Sequence, residues 1–189
     1  MIERKRTLDT IKSASQVGNY DEVPVLAAEV DPQLHLSRNS VRQPFFLICE
    51  HDTVLAQMTG RAQLELRDSN VSWFPLVPGD NVYVPARTPH RVVPETESVQ
   101  LRYKARRPGR EAAAFYCERC GSELYVHTWD ANRTLSQGEY LRATQHFNAE
   151  AAVRTCRCGQ VHPPVDLAPF GWAQTAAFLE AQDHQNATD

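Results

Sequence analysis

Two close cysteine pairs, Cys117 with Cys120 and Cys156 with Cys158, each run straight into a glycine, Gly121 or Gly159. If both pairs serve one metal ion, the chain between them has to fold as a small unit and return to its starting point. Few topologies meet that constraint. Thiolates are soft ligands that favour Zn or Fe, and two short loops brought together by a hairpin can set four sulfurs at tetrahedral corners. The glycines suit the sharp turns of such loops, because glycine adopts backbone angles closed to other residues. The second pair has one intervening residue where zinc ribbons have two, so His162 is an alternative fourth ligand. The competing reading is four cysteines, buried or disulfide-bonded, that share no metal. A metal closed in by all four would have no open coordination position, which predicts a staple rather than a catalyst.

A chain of 189 residues can bury one core plus a small metal-stapled appendage. Its net charge of −3 argues against general binding to nucleic acid or to membrane surfaces. No apolar run reaches membrane-spanning length, and the N-terminal residues carry no apolar signal core. The expectation is a cytoplasmic protein, where paired thiols suit metal better than disulfides.

From about residue 33 to residue 107 the texture is one of short β-type runs: 45–49, 53–58, 62–66, 71–74, 81–84, 91–93 and 99–103. Turn residues such as Gly60, Asp68, Gly79 and Pro94 punctuate them. Short strands at close spacing predict a β-sandwich or barrel. The clearest alternation sets Ala62, Leu64 and Leu66 against Gln63, Glu65 and Arg67, one buried face and one wet face. A short helix is predicted over 7–17. A second is predicted over 170–181, with Trp172, Ala176 and Leu179 on one face, before a frayed polar tail over 182–189. Residues 102–110 form a basic connector around Pro108 and Gly109, and between the cysteine pairs a hairpin or helix is enclosed.

The stretch from Val77 to His90 has the texture of the second cupin motif: a Gly79-Asp80 turn, a strand, Pro85, and a histidine five residues later. Together with Phe115-Tyr-Cys-Glu-Arg-Cys-Gly121 and Cys158-Gly-Gln-Val-His162-Pro163, this order resembles bacterial 3-hydroxyanthranilate 3,4-dioxygenases over roughly residues 41–163. The resemblance implies a mainly β chain: a small cupin barrel (double-stranded β-helix, jelly-roll) with a C-terminal rubredoxin-like metal knuckle and short terminal helices. The corresponding division is an N-terminal segment over 1–30, the barrel over 31–110, the cysteine-rich knuckle over 111–165, and a helix with its tail over 166–189. It also implies a homodimer, Fe(II) in the barrel and a distal structural metal at Cys117, Cys120, Cys156 and Cys158.

The family's barrel iron is held by two histidines and a carboxylate, with positions left open for an aromatic substrate and O₂. Alignment on Gly60 puts Leu47 at the first histidine and Thr53 at the glutamate, and keeps only His90. The family's acidic residue before the connector falls at Lys104, and Arg42 lies near the place of an upstream arginine. If 49–55 is extended, His51 shares a face with Thr53 and offers a second imidazole; the competing reading is a surface residue of the charged turn Glu50-His-Asp52. The candidate barrel-mouth set is therefore His90 as general acid or base, with Arg42, His51, Gln57, Arg102 and Lys104 as polar groups for a ligand carboxylate.

Three functions compete. One is a diverged cupin that binds or transforms a small aromatic or carboxylated metabolite with most of its iron ligands replaced. The second is an active non-haem iron dioxygenase of the 3-hydroxyanthranilate type. The third is a zinc-ribbon interaction module.

Overall fold

The short β-type runs fold as strands of two antiparallel sheets in the computed structural model, which describes residues 7 and 9–186. In chain order the strands are β1 (Val23–Pro24), β2 (Gln33–Asn39), β3 (Phe46–Cys49), β4 (Thr53–Thr59), β5 (Ala62–Leu66), β6 (Trp73–Leu76), β7 (Asn81–Val84), β8 (His90–Pro94), β9 (Ser98–Lys104), β10 (Arg110–Tyr116) and β11 (Glu123–Asp130). One sheet has the order β1-β2-β9-β4-β7 and the other β11-β10-β3-β8-β5-β6. From β3 onward the chain passes back and forth between the sheets, as in a jelly-roll, and this is the double-stranded β-helix of a cupin barrel. Pro75 lies in β6, at the sheet edge, where a missing N–H costs no ladder bond.

Three helices, α1 (Thr10–Ala14), α2 (Ser136–Ala149) and α3 (Trp172–Asn186), lie outside the strands. The first is shorter than predicted: Asp9 caps it by accepting from the Lys12 N–H at 3.1 Å, and it ends at Ala14. The last runs longer, so residues 182–186 continue the helix rather than fray; residues 187–189 of the predicted tail, and residue 8 of the predicted first helix, lie outside the described part. The unit between the cysteine pairs combines a strand and a helix. Strand β11 joins the six-stranded sheet beside β10, and α2 then folds back with Tyr140, Ala143 and Phe147 buried at helical spacing.

The two sheets bury different kinds of residue. The six-stranded sheet points Phe45, Leu47, Leu64 and Val92 inward, where they join Tyr140 and Trp172 in the main core. On the five-stranded sheet the aliphatic residues Leu36, Leu101 and Ala56 stand in register on one face. They pack with Ala14 and Val17 from around α1 and Leu179 of α3, so that face points outward beneath the helices. The alternate residues of the same strands, among them Gln33, His35, Gln100, Arg102, Lys104 and Thr53, occupy the opposite face and line the barrel interior.

Trp172 locks the helical cover to the barrel. It is fully buried, stacks on Phe170 at 4.3 Å between ring centroids, and donates its indole N–H to the Tyr20 carbonyl at 3.2 Å. Replacing Trp172 by alanine removes the largest fully buried side chain and opens a void. The expected loss is about 3–5 kcal/mol, measured by chemical denaturation, and Trp172→Phe should recover a large part of it.

Candidate functional site

The four cysteines meet. Their Sγ atoms lie within 4.8 Å of one another, with Cys117 and Cys158 separated by 3.7 Å and Cys120 and Cys156 by 3.5 Å. A tetrahedral ion with metal–sulfur bonds of about 2.3 Å needs sulfur–sulfur edges of roughly 3.8 Å. The cluster therefore fits one tetrahedral zinc or iron. Its two loops are matching knuckles. Gly121 donates to the Cys117 carbonyl at 2.8 Å and Gly159 to that of Cys156 at 2.9 Å, with φ of +73° and +84° that favour glycine. His162 is buried nearby in sequence but outside the cluster.

Arginines from the barrel dock this knuckle. Arg67 donates to the Gly121 carbonyl at 2.7 Å and lies over the Tyr116 ring, and Arg91 bridges Glu65 at 2.6 Å and Glu118 at 2.9 Å. Arg42 belongs to the same cluster, 3.2 Å from Glu118 and 3.5 Å from Glu65. It stands on the outer face of the six-stranded sheet, not in the barrel mouth where the sequence reading set it. His51 is likewise on the outside, exposed in the turn between β3 and β4.

The remaining candidates, His90, Gln57, Arg102 and Lys104, are all buried inside the barrel. Arg102 points one N–H at His90 Nε2, at 2.7 Å, while His90 donates from Nδ1 to the Thr88 carbonyl at 2.9 Å. The imidazole is thus a fixed neutral tautomer with both nitrogens engaged. Burial and the Arg102 charge lower its pKa to about 3. That environment replaces the near-neutral titration expected of His90. Gln57 lies deeper, accepting from Gln100, which in turn accepts from Asn39 at 2.7 Å.

Two carboxylates absent from the sequence reading complete the interior. Glu22 enters from the N-terminal segment, 2.7 Å from Arg102 and 3.0 Å from Lys104, and Glu111 of β10 takes the other side of Lys104 at 2.9 Å. Burial alone would raise the Glu22 carboxyl, but the Lys104 and Arg102 charges overcome it and hold it well below the usual carboxylate range. The cations answer in kind: burial favours loss of their protons, and Glu22 and Glu111 reverse that, so both remain charged. Tyr140 donates to Glu22 and Ser136 to Glu111 at 2.8 Å, tying α2 to the network. Cys49, beside Glu111, has its thiol pushed up to about 12, first by burial, and stays protonated.

A mononuclear iron does not fit these side chains. Leu47 stands directly across from His90 in the β3–β8 ladder, Thr53 offers a hydroxyl that Arg102 already approaches at 3.5 Å, and a guanidinium occupies the direction of the His90 Nε2 lone pair. The cavity beside the network is about 240 Å³ and is lined by Glu22, Gln33, His35, Lys104, Glu111 and Ser136, with Arg106 and Arg107 also on its wall. Gln33 spends its amide N–H groups on the Ala27 and Val30 carbonyls, and its buried Oε1 takes no hydrogen bond from a described residue. His35 donates from Nδ1 to the Glu22 carbonyl at 3.0 Å, and burial, followed by the Lys104 charge, lowers its pKa to about 4.

No family model matches the sequence, and no curated protein matches it. Among solved structures the chain is similar to a hydroquinone 1,2-dioxygenase from a Sphingomonas species with 4-hydroxybenzoate bound, at 14% identity, with 55% of this chain and 81% of that chain covered and a TM-score of 0.43. It is also similar to a cupin-2 domain containing protein from Shewanella frigidimarina, at 16% identity, with 52% and 94% covered and a TM-score of 0.45. Among the described residues no helix is long and apolar enough to cross a membrane.

Two outcomes follow from this geometry. His90 faces Arg102, Glu22 and Lys104, and His35 faces the same three groups. Both histidines are neutral in the fold but take a proton near pH 6.5 when unfolded. Their contribution is complete above that pH and is lost as pH falls toward about 4 for His35 and about 3 for His90. The melting temperature should therefore fall between pH 6.5 and 5, and His35→Gln or His90→Gln should each flatten the pH slope by about one proton. At the knuckle, Cys117→Ser with Cys120→Ser should abolish metal content at the cysteines and lower the melting temperature, since a structural ion contributes folding free energy directly. Unchanged metal and stability would exclude the staple.

Proposed function

We propose that the protein is a diverged relative of the 3-hydroxyanthranilate 3,4-dioxygenases that binds a small, carboxylated, aromatic-type metabolite in its barrel mouth without barrel iron. The observation that carries this reading is the cavity against Lys104, in which one acceptor, Gln33 Oε1, lacks a donor while Arg106 and Arg107 lie on the same wall. Its volume suits a single-ring acid rather than a drug-sized ligand.

A ligand with a carboxylate and a ring-borne amine or hydroxyl answers both features. The carboxylate meets the guanidinium groups and the remaining N–H of Lys104, whose contacts with Glu22 and Glu111 account for two of its three donors. The amine or hydroxyl donates to Gln33 Oε1, relieving a buried polar atom whose lack of a partner is costly. Binding is favoured over catalysis because His90 and His35 are held neutral, with His90 closed on both nitrogens. The metal at the cysteines is a distal staple, and its identity as zinc or iron, a cytoplasmic setting and a homodimer belong to the same proposal.

The test is isothermal titration of the purified protein, under anaerobic conditions, with benzoate, anthranilate and 3-hydroxyanthranilate, alongside metal analysis. Binding without barrel iron, strengthened by the ring amine or hydroxyl and weakened about tenfold or more by Gln33→Leu or by Arg106→Ala with Arg107→Ala, is the expected result. Fe(II)-dependent O₂ uptake with 3-hydroxyanthranilate would instead establish an active dioxygenase. A chain that binds none of the three acids would refute the reading.

A further inference from the structure

On the other side of the Asp21–Glu22 peptide from the barrel lies a second cavity, of about 340 Å³, walled by Val17, Val23, Phe170, Phe178, Asp21 and Thr175. Its wall is mixed: Gln16, Gln174 and Thr175 share it with the aliphatic and aromatic side chains, and Asp21 is its one ionisable lining residue. Asp21 is 5% exposed, and its Oδ2 accepts from the Gly18 N–H at 2.8 Å. Its Oδ1 is buried with no donor at hydrogen-bond geometry, although the Thr175 hydroxyl stands close enough beside the carboxyl to favour its charged form. Asp21 is a lining residue, and a Cβ placed on Gly171, another one, would sit 3.7 Å from Oδ1 and 3.9 Å from the Thr175 hydroxyl, which puts Oδ1 on the Gly171 side of the carboxylate, just behind the wall.

We propose that this cavity is a binding site for a small primary amine with an apolar, preferably aromatic, body, whose ammonium donates to Asp21 Oδ1. A buried carboxylate oxygen without a donor carries a desolvation cost that a charge-assisted hydrogen bond relieves, and aromatic faces attract an ammonium more than a carboxylate or a neutral head. Burial raises the Asp21 pKa, against smaller opposing effects of the Gly18 N–H and Thr175, and a bound cation would reverse that rise. The site is separate from the barrel-mouth cavity. It is coupled to the interior by one peptide, since Gln137 donates to the carbonyls of both Asp21 and Glu22.

The experiment is titration calorimetry of the whole protein with 2-phenylethylamine, and with 3-phenylpropanoate as the same body carrying the opposite charge. The amine should bind with Kd at or below about 1 mM and the acid should not, and Asp21→Asn should weaken the amine about tenfold or more. Gly171→Ala provides an independent arm, because its methyl group makes only ordinary contacts, leaves the fold unstrained and crowds the approach to Oδ1. It too should weaken the amine. Equal binding of amine and acid, unchanged affinity in both variants, or no saturable binding of the amine at about 10 mM would overturn the proposal.

Discussion

Glu22 is the interaction on which the interior depends. Its carboxylate reaches Arg102 and Lys104 together, accepts from Tyr140, and is the charge that lets two buried cations stand side by side inside the barrel. Breaking a buried pair by removing one partner leaves an uncompensated charge, a loss of several kcal/mol that a surface pair never carries. With Glu111 the network holds two carboxylates against two cations, so the interior is balanced without an ion from solution. The same arrangement fixes His90, because the guanidinium that Glu22 orients is the one that donates to the imidazole.

Much of the architecture was legible because it rests on local chemistry. The alternation at 62–66 returned as β5 with the predicted faces, and the glycines after the cysteine pairs occupy the turns that required them. Period-two alternation was equally plain in β2 and β9, where Leu34 and Leu36 or Val99 and Leu101 alternate with polar residues. What alternation does not say is which face is inside. Here the aliphatic face turns outward under α1 and α3, and the polar face becomes the lumen. A helix covering a sheet from outside competes for the apolar face, and nothing local to the strand records that competition.

The candidate site was legible in part for the same reason. His90, Gln57, Arg102 and Lys104 lie on strands, and strand geometry carries them inward together. Arg42 and His51 lie on connections, whose course depends on what they meet, and they went to the knuckle and to the exposed turn. Glu22 sits in a segment that reads as an N-terminal lead-in, and only its distant partners reveal it. The available signal was that Gln33 and His35 on β2, and Gln100, Arg102 and Lys104 on β9, alternate regularly with the aliphatic residues.

The reach of those partners also orders events in time. Glu22 meets residues 80 and 118 positions farther along the chain, at Arg102 and Tyr140. Contacts so distant form late, after loop closure has brought the sheets together. During synthesis the segment around Glu22 is made before its counter-charges, and burying it ahead of them would leave its charge unpaired. The segment made earliest can be locked in place only after Arg102, Lys104 and Glu111 have followed it, and the lumen acquires its charge balance no sooner.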